Sequence, residues 1–136
     1  MTPHELIHAY YDAFNRQDMP QFLSYLSETV VHDINQGHRE DGKLAFSAFM
    51  DRMNAHYREH IVDVEVCVNA SGNRASAEFR VLGEYLATDD DLPPATGQKY
   101  DLPAGAFFEI QDGLISRVTN YYNLQDWIRQ VAGNHE

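Results

Sequence analysis

The sequence predicts a single α+β domain, and three observations point to it. Helical patterns come first and long strand patterns follow, with no repeat, linker or low-complexity segment between them. The hydrophobic period changes near residue 60, from helical spacing to strict alternation. Finally, 136 residues with 43% hydrophobic side chains are enough to bury one core.

Thr2-Pro3-His4-Glu5 has the form of a capping box with proline in the first turn. Leu6, Tyr10, Ala13 and Phe14 then follow at helical spacing to about Arg16. Asp18-Met19-Pro20-Gln21 repeats the capping grammar, and Phe22, Leu23 and Leu26 supply the stripe of a short second helix. Val30 to Ile34 is a β-branched run that predicts a short first strand, and Asn35 to Gly42 is polar and predicts a loop. From Lys43 to about Tyr57 the residues Phe46, Phe49, Met50, Met53 and Tyr57 predict a third helix, with Asp41 placed to cap it.

In the second half, Val62, Val64, Val66 and Val68 alternate with Asp63, Glu65 and Cys67 before a turn at Ala70-Ser71-Gly72-Asn73. Ala75, Ala77, Phe79, Val81 and Tyr85 mark a long partner strand ending near Ala87, and Thr88 to Pro94 reads as an exposed loop. Lys99–Ile110 and Leu114–Tyr122 form another hairpin around Gln111-Asp112-Gly113, and Leu124 to Val131 a terminal helix. Pro103 and Gly105 inside a strand predict a bulge there.

With 21 acidic against 10 basic side chains the net charge is -11, a field that repels phosphate backbones and anionic headgroups. Nucleic acid and membrane surfaces are therefore not expected as partners. No apolar run approaches the roughly 20 residues of a membrane span, and the N-terminus lacks the regions of a secretion signal, so the cytoplasm is the expected compartment. The lone Cys67 can form no internal disulfide and reads as a small strand hydrophobe.

Three stretches carry a family likeness: Tyr10-Tyr11-Asp12-Ala13-Phe14-Asn15-Arg16-Gln17-Asp18, Val30-Val31-His32-Asp33, and Asp112-Gly113-Leu114-Ile115. In this element order they resemble the nuclear transport factor 2-like superfamily, which includes ketosteroid isomerases and SnoaL-like polyketide cyclases; the nearest likeness is to proteins described as ketosteroid isomerase-related. The resemblance implies a cystatin-like, cone-shaped, curved antiparallel sheet wrapped around the N-terminal helices. That single domain would span residues 1–136 and hold a small apolar ligand without a cofactor. It also implies a homodimer formed through the outer sheet face, a habit of many members.

By the same resemblance Tyr10 matches the tyrosine that binds an enolate oxygen and Asp33 matches the general base, so these two are the expected catalytic pair. The third position of ketosteroid isomerase, a protonated aspartic acid, falls near Gly105-Ala106-Phe107, where no acid is present. Asn120 stands where the cyclases place an acid-base aspartate; an amide there orients a ligand and takes no proton. The pocket wall is expected to comprise His32, Asn120, Tyr122, Phe107, Phe49 and Met53. Alternation puts Asp33 with Val31 on the face opposite His32; with Asp33 inward, burial should raise its pKa.

The functional expectation is a cofactor-free proton-transfer enzyme of isomerase, cyclase or lyase type. The alternatives are a non-catalytic carrier of an apolar metabolite and a dimerising interaction module. No metal is expected. His4-Glu5-Leu6-Ile7-His8 fits a zinc-protease string, yet Glu5 is explained by the capping box and no third ligand stands out. His56 and His60, four apart, read as a fraying helix end. Asp89-Asp90-Asp91 lacks the spaced oxygens and glycine of a calcium loop.

Overall fold

Helix α1 (Pro3–Asn15) begins with both bonds of the predicted capping box: Glu5 N–H donates to Thr2 Oγ1 at 3.1 Å and Thr2 N–H to Glu5 Oε1 at 2.8 Å. This computed structural model describes residues 1–133, and the last three residues of the predicted domain lie outside the described residues. Helix α2 (Met19–Ser24) is capped by Asp18, as predicted, and buries Phe22. Strand β1 (Leu26–Asp33) starts earlier than the β-branched run, so Leu26 belongs to the strand and not to the second helix.

A short strand β2 (Arg39–Asp41) lies in the stretch read as loop. Its three charged residues carry no apolar alternation, and pairing with β1 creates it. Helix α3 (Lys43–His56) therefore starts from Gly42 without a side-chain cap, because Asp41 is part of β2. Strands β3 (Tyr57–Val68), β4 (Arg74–Tyr85), β5 (Lys99–Gln111) and β6 (Leu114–Tyr122) and helix α4 (Leu124–Ala132) follow. His60 thus sits within a strand and not at a helix end. Among the described residues no helix is long and apolar enough to cross a membrane.

The fold is α+β, with N-terminal helices against a curved, unclosed, six-stranded sheet of order β2-β1-β6-β5-β4-β3. From β3 to β6 the strands pair antiparallel in chain order, whereas β1 joins β6 in parallel, so the sheet is mixed and not wholly antiparallel. Register shifts fall between Val62 and Glu65, where Asp63 has φ 61°, and between Glu109 and Ile110. The predicted bulge is absent: Pro103 pairs with Arg80 and Gly105 with Glu78 in unbroken register. Proline is tolerated because β6 ends opposite Ala104, which leaves that side of β5 free of a strand at Pro103.

Alternation on β4 is nearly complete, with Ala75, Ala77, Phe79, Val81 and Tyr85 all buried on the inner face beneath α1. The outer edge of β3 is closed by one side chain. Asn15 Nδ2 donates to the Ile61 carbonyl and Asn15 Oδ1 accepts from Ile61 N–H, both at 2.8 Å, so the amide stands in for a neighbouring strand. Near the end of the hairpin the Tyr100 ring crosses over Gly83 to reach Glu59 on β3, and Trp127 of α4 packs edge-on against Tyr85 and Tyr100.

A Cβ at Gly83 would overlap the Tyr100 ring. Gly83→Ala should therefore destabilise the fold by about 1–3 kcal/mol through overpacking, read as a lower urea midpoint. An unchanged midpoint would mean that Tyr100 does not lie over this glycine.

Candidate active site

Which β1 side chains enter the interior follows from the pairing with β6, in which His32 lies opposite Val118 and Asp33 opposite Thr119. Val118 is fully buried on the inner face, so His32 points inward with it and Asp33 points out. His32 is only 2% exposed, stacks on Phe46 with ring centroids 4.2 Å apart and meets Phe49 edge-on at 4.7 Å. Its Nδ1 is buried without a hydrogen-bond partner among the described residues. Burial pushes the imidazole pKa down to about 4, against an opposing pull from the nearby Asp33 charge, so the ring is neutral at physiological pH.

Asp33 occupies a different environment from the one predicted. Arg39 on β2 grips both its oxygens, Nε to Oδ1 at 2.7 Å and Nη2 to Oδ2 at 3.2 Å, and Thr119 Oγ1 donates to Oδ2 at 2.7 Å. Thr119 in turn accepts from Arg117, which also donates to Glu109, so a polar ladder crosses β2, β1, β6 and β5 on the outer face. The Arg39 hydrogen bonds, then that of Thr119, hold the Asp33 carboxyl below the usual range, which overturns the expected upward shift. An ion-paired carboxylate on the outer face does not present a base to the interior.

Tyr10 is buried, as its helical stripe predicts, stacked on Phe22 at 4.5 Å and edge-on to Phe108 at 5.7 Å. Its neighbour Tyr11 has a buried hydroxyl without a hydrogen-bond partner among the described residues, and its ring packs against Phe79 and Phe108. Asn120 shares the inner face of β6 with Val118 and pairs with the buried Ala106. Phe49 reaches His32, and Met53 is half-buried one turn further along α3. Tyr122 is 39% exposed at the strand end, and Phe107, 47% exposed, faces outward against Tyr121 and so is not a wall of the interior.

None of the eight predicted residues lines either of two clefts on the β3 side of the sheet. An open cleft of about 690 Å³ and a smaller one of about 280 Å³ share Gln17, Arg58 and Glu59 as walls, at the β3 side of the sheet. Glu59 accepts a short hydrogen bond from Tyr100, and burial pushes its carboxyl above the usual range although that bond pulls the other way. The sequence reading missed this pair because Glu59 falls in a charged stretch assigned to a helix end. Among the described residues no group of three or more His, Cys, Asp or Glu is placed to hold a metal ion.

A family model described as the SnoaL-like domain matches residues 7–118. The chain belongs to this family. A solved structure from Pseudomonas putida, described as a "putative polyketide cyclase", is 62% identical and superposes with a TM-score of 0.95, covering 96% of this chain and 98% of its own. A protein from Xanthomonas campestris with the same description is 53% identical, with a TM-score of 0.92 and coverage of 95% and 96%. The fold extends to a protein of M. tuberculosis described as an LEH-like epoxide hydrolase, at 14% identity, with a TM-score of 0.76 and coverage of 96% and 85%. No curated protein matches.

The neutral His32 has a consequence for stability. Its folded pKa, about 4, lies below the ordinary 6.5, so between these values the unfolded state binds more protons. Its contribution is therefore complete above about pH 6.5 and is lost as pH falls towards 4. His32→Phe should flatten the fall in unfolding free energy over that window, and imidazole NMR shifts should place the titration near 4. A midpoint in the ordinary histidine range would contradict the burial.

Proposed function

We propose that this SnoaL-like protein is a cofactor-free proton-transfer enzyme of isomerase or cyclase type, acting on a small and largely apolar carbonyl compound. The observation that carries the reading is the unpartnered Nδ1 of His32, a buried acceptor or donor set among aromatic rings on the inner wall. Buried polar atoms are almost always satisfied, and an unsatisfied one is a place where a ligand or water supplies the missing bond.

In this reading a carbonyl compound enters beside Phe46 and Phe49, and neutral His32 removes a proton from the carbon next to the carbonyl. The base is weak in the empty protein. Ketosteroid isomerase works with a comparably weak one, an aspartate of pKa about 4.6, because the enolate oxygen is stabilised at the same time. Here the donors for that oxygen are the Tyr11 hydroxyl, which burial keeps protonated, and the Asn120 amide. The proton then returns to the other end of the enolate, or stays on the ring while the enolate carbon attacks a second carbonyl of the compound and then passes to the alkoxide so formed. Relatives described as polyketide cyclases support this class of chemistry.

Hydrogen–deuterium exchange of small enolisable ketones, followed by NMR, tests it. His32→Phe should slow exchange by roughly 10² or more, and Tyr11→Phe by roughly 10², while Asp33→Asn stays near the wild-type rate. An inactive Asp33→Asn beside a fully active His32→Phe would return the role of base to Asp33.

The outer face carries a second proposal, a homodimer. Phe107 and Tyr121, 47% and 57% exposed, form an edge-on aromatic pair at 5.8 Å, flanked by the Arg117–Glu109 ion pair, whose opposite charges suit a two-fold contact with a second copy. Light scattering should give about twice 15.6 kDa for the wild type and about 15.6 kDa for Phe107→Arg. A wild-type monomer at micromolar concentration would remove the proposal.

A further inference from the structure

Glu59 is a half-buried carboxylate on the inner face of β3 that the proposed chemistry does not use. Tyr100 is its one hydrogen-bond donor among the described residues, and no described Lys, Arg or His lies within ion-pair distance of it. The neighbouring Arg58 is turned to Glu84 at 3.2 Å. A desolvated carboxylate with a single neutral donor is incompletely stabilised, and an incoming cation would complete it.

The smaller cleft supplies the rest of a site. Beside Glu59 it is walled by the apolar and aromatic side chains of Phe14, Met19, Tyr57 and Leu86 on one part and by the polar Gln17, Asn54 and Arg58 on the other. Tyr57 is fixed there by a 2.8 Å hydrogen bond to Asp89 and by stacking on Tyr85, so its ring is held in place against a ligand. Lys99 and His60 line the larger cleft alone, and Arg58, which borders both, is neutralised by its ion pair with Glu84, so the smaller side is the one open to a cationic head. The net charge of -11 adds a long-range bias toward cations.

We propose that Glu59 anchors a binding site for a small organic ammonium ion, with the charged head against the carboxylate and an apolar or aromatic body against Phe14, Met19, Tyr57 and Leu86. The site is separate from His32 and does not depend on its role. The charged or titratable groups around it are Tyr57, Arg58 and His60 on β3, Glu84 on β4, Asp89 in the loop after β4, Lys99, Tyr100 and Asp101 on β5, and Tyr122 on β6; the lining residues of α1, α3 and α4 are uncharged.

Titration calorimetry with 2-phenylethylamine, phenylacetone and phenylacetate, three probes of similar body and different head, tests this on the intact protein. At pH 7 the amine should bind about tenfold or more tightly than either of the others, the size expected for a hydrogen bond to a charged group. Its affinity should rise with pH as Glu59, its carboxyl held above the usual range by burial, ionises. Glu59→Gln should abolish the preference, and His32→Phe should keep it. The comparison of probes on the wild type needs no variant to fold. The proposal is overturned if the amine does not bind, if the ketone binds as well or better, which would make Glu59 a neutral hydrogen-bond donor, or if Glu59→Gln retains the preference.

Discussion

The parallel pairing of β1 with β6 decides what kind of interior this protein has. Because His32 lies opposite Val118 and Asp33 opposite Thr119, the imidazole enters a wall of aromatic and aliphatic groups and the carboxylate leaves it. A shift of one residue would exchange them, placing an ion-pairing acid in the core and a histidine outside. The outer ladder from Arg39 through Asp33 and Thr119 to Arg117 fastens that register, since each link joins neighbouring strands or adjacent side chains on one face. In the proposed mechanism Asp33 acts by holding the strand that carries His32.

Much of the fold was legible because its elements are local. The capping box at Thr2 and Glu5, the stripe of α1, the alternation of β4 and the hairpin around Asp112-Gly113 each appear in the sequence as they do in the structure. What escaped is non-local. β2 has three charged residues and exists through its pairing with β1, and the parallel contact of β1 with β6 joins residues as far apart as Asp33 and Thr119. The start of β3, from Tyr57 to His60, is rich in charge and reads equally well as the frayed end of α3.

The site shows the same division. Alternation correctly separated His32 from Asp33, but Val30 and Val31 are both apolar, so the pattern could not say which parity faces inward; burial of Val30 settles it. Phe107 and Phe108 pose the same ambiguity on β5, and only Phe108 is inside. The one available signal for His32 was its apolar flank: an isolated histidine after two valines is most economically neutral and buried, whereas Asp33 has Arg39 at hand a short loop away. Tyr11 and Glu59 carry no local mark at all, since the first lies on a helix already crowded with aromatics and the second in a run of charges.

Ligand chemistry on this reading meets His32 on the inner wall and leaves Asp33 untouched. The decisive experiment is an NMR titration of the protein, labelled at histidine nitrogens and aspartate carboxyls, with 2-naphthol, an apolar hydroxyl compound that resembles an enol. We expect the His32 Nδ1 resonance to move on binding while the Asp33 carboxyl stays fixed. A shifted Asp33 carboxyl beside an unmoved His32 would overturn the assignment.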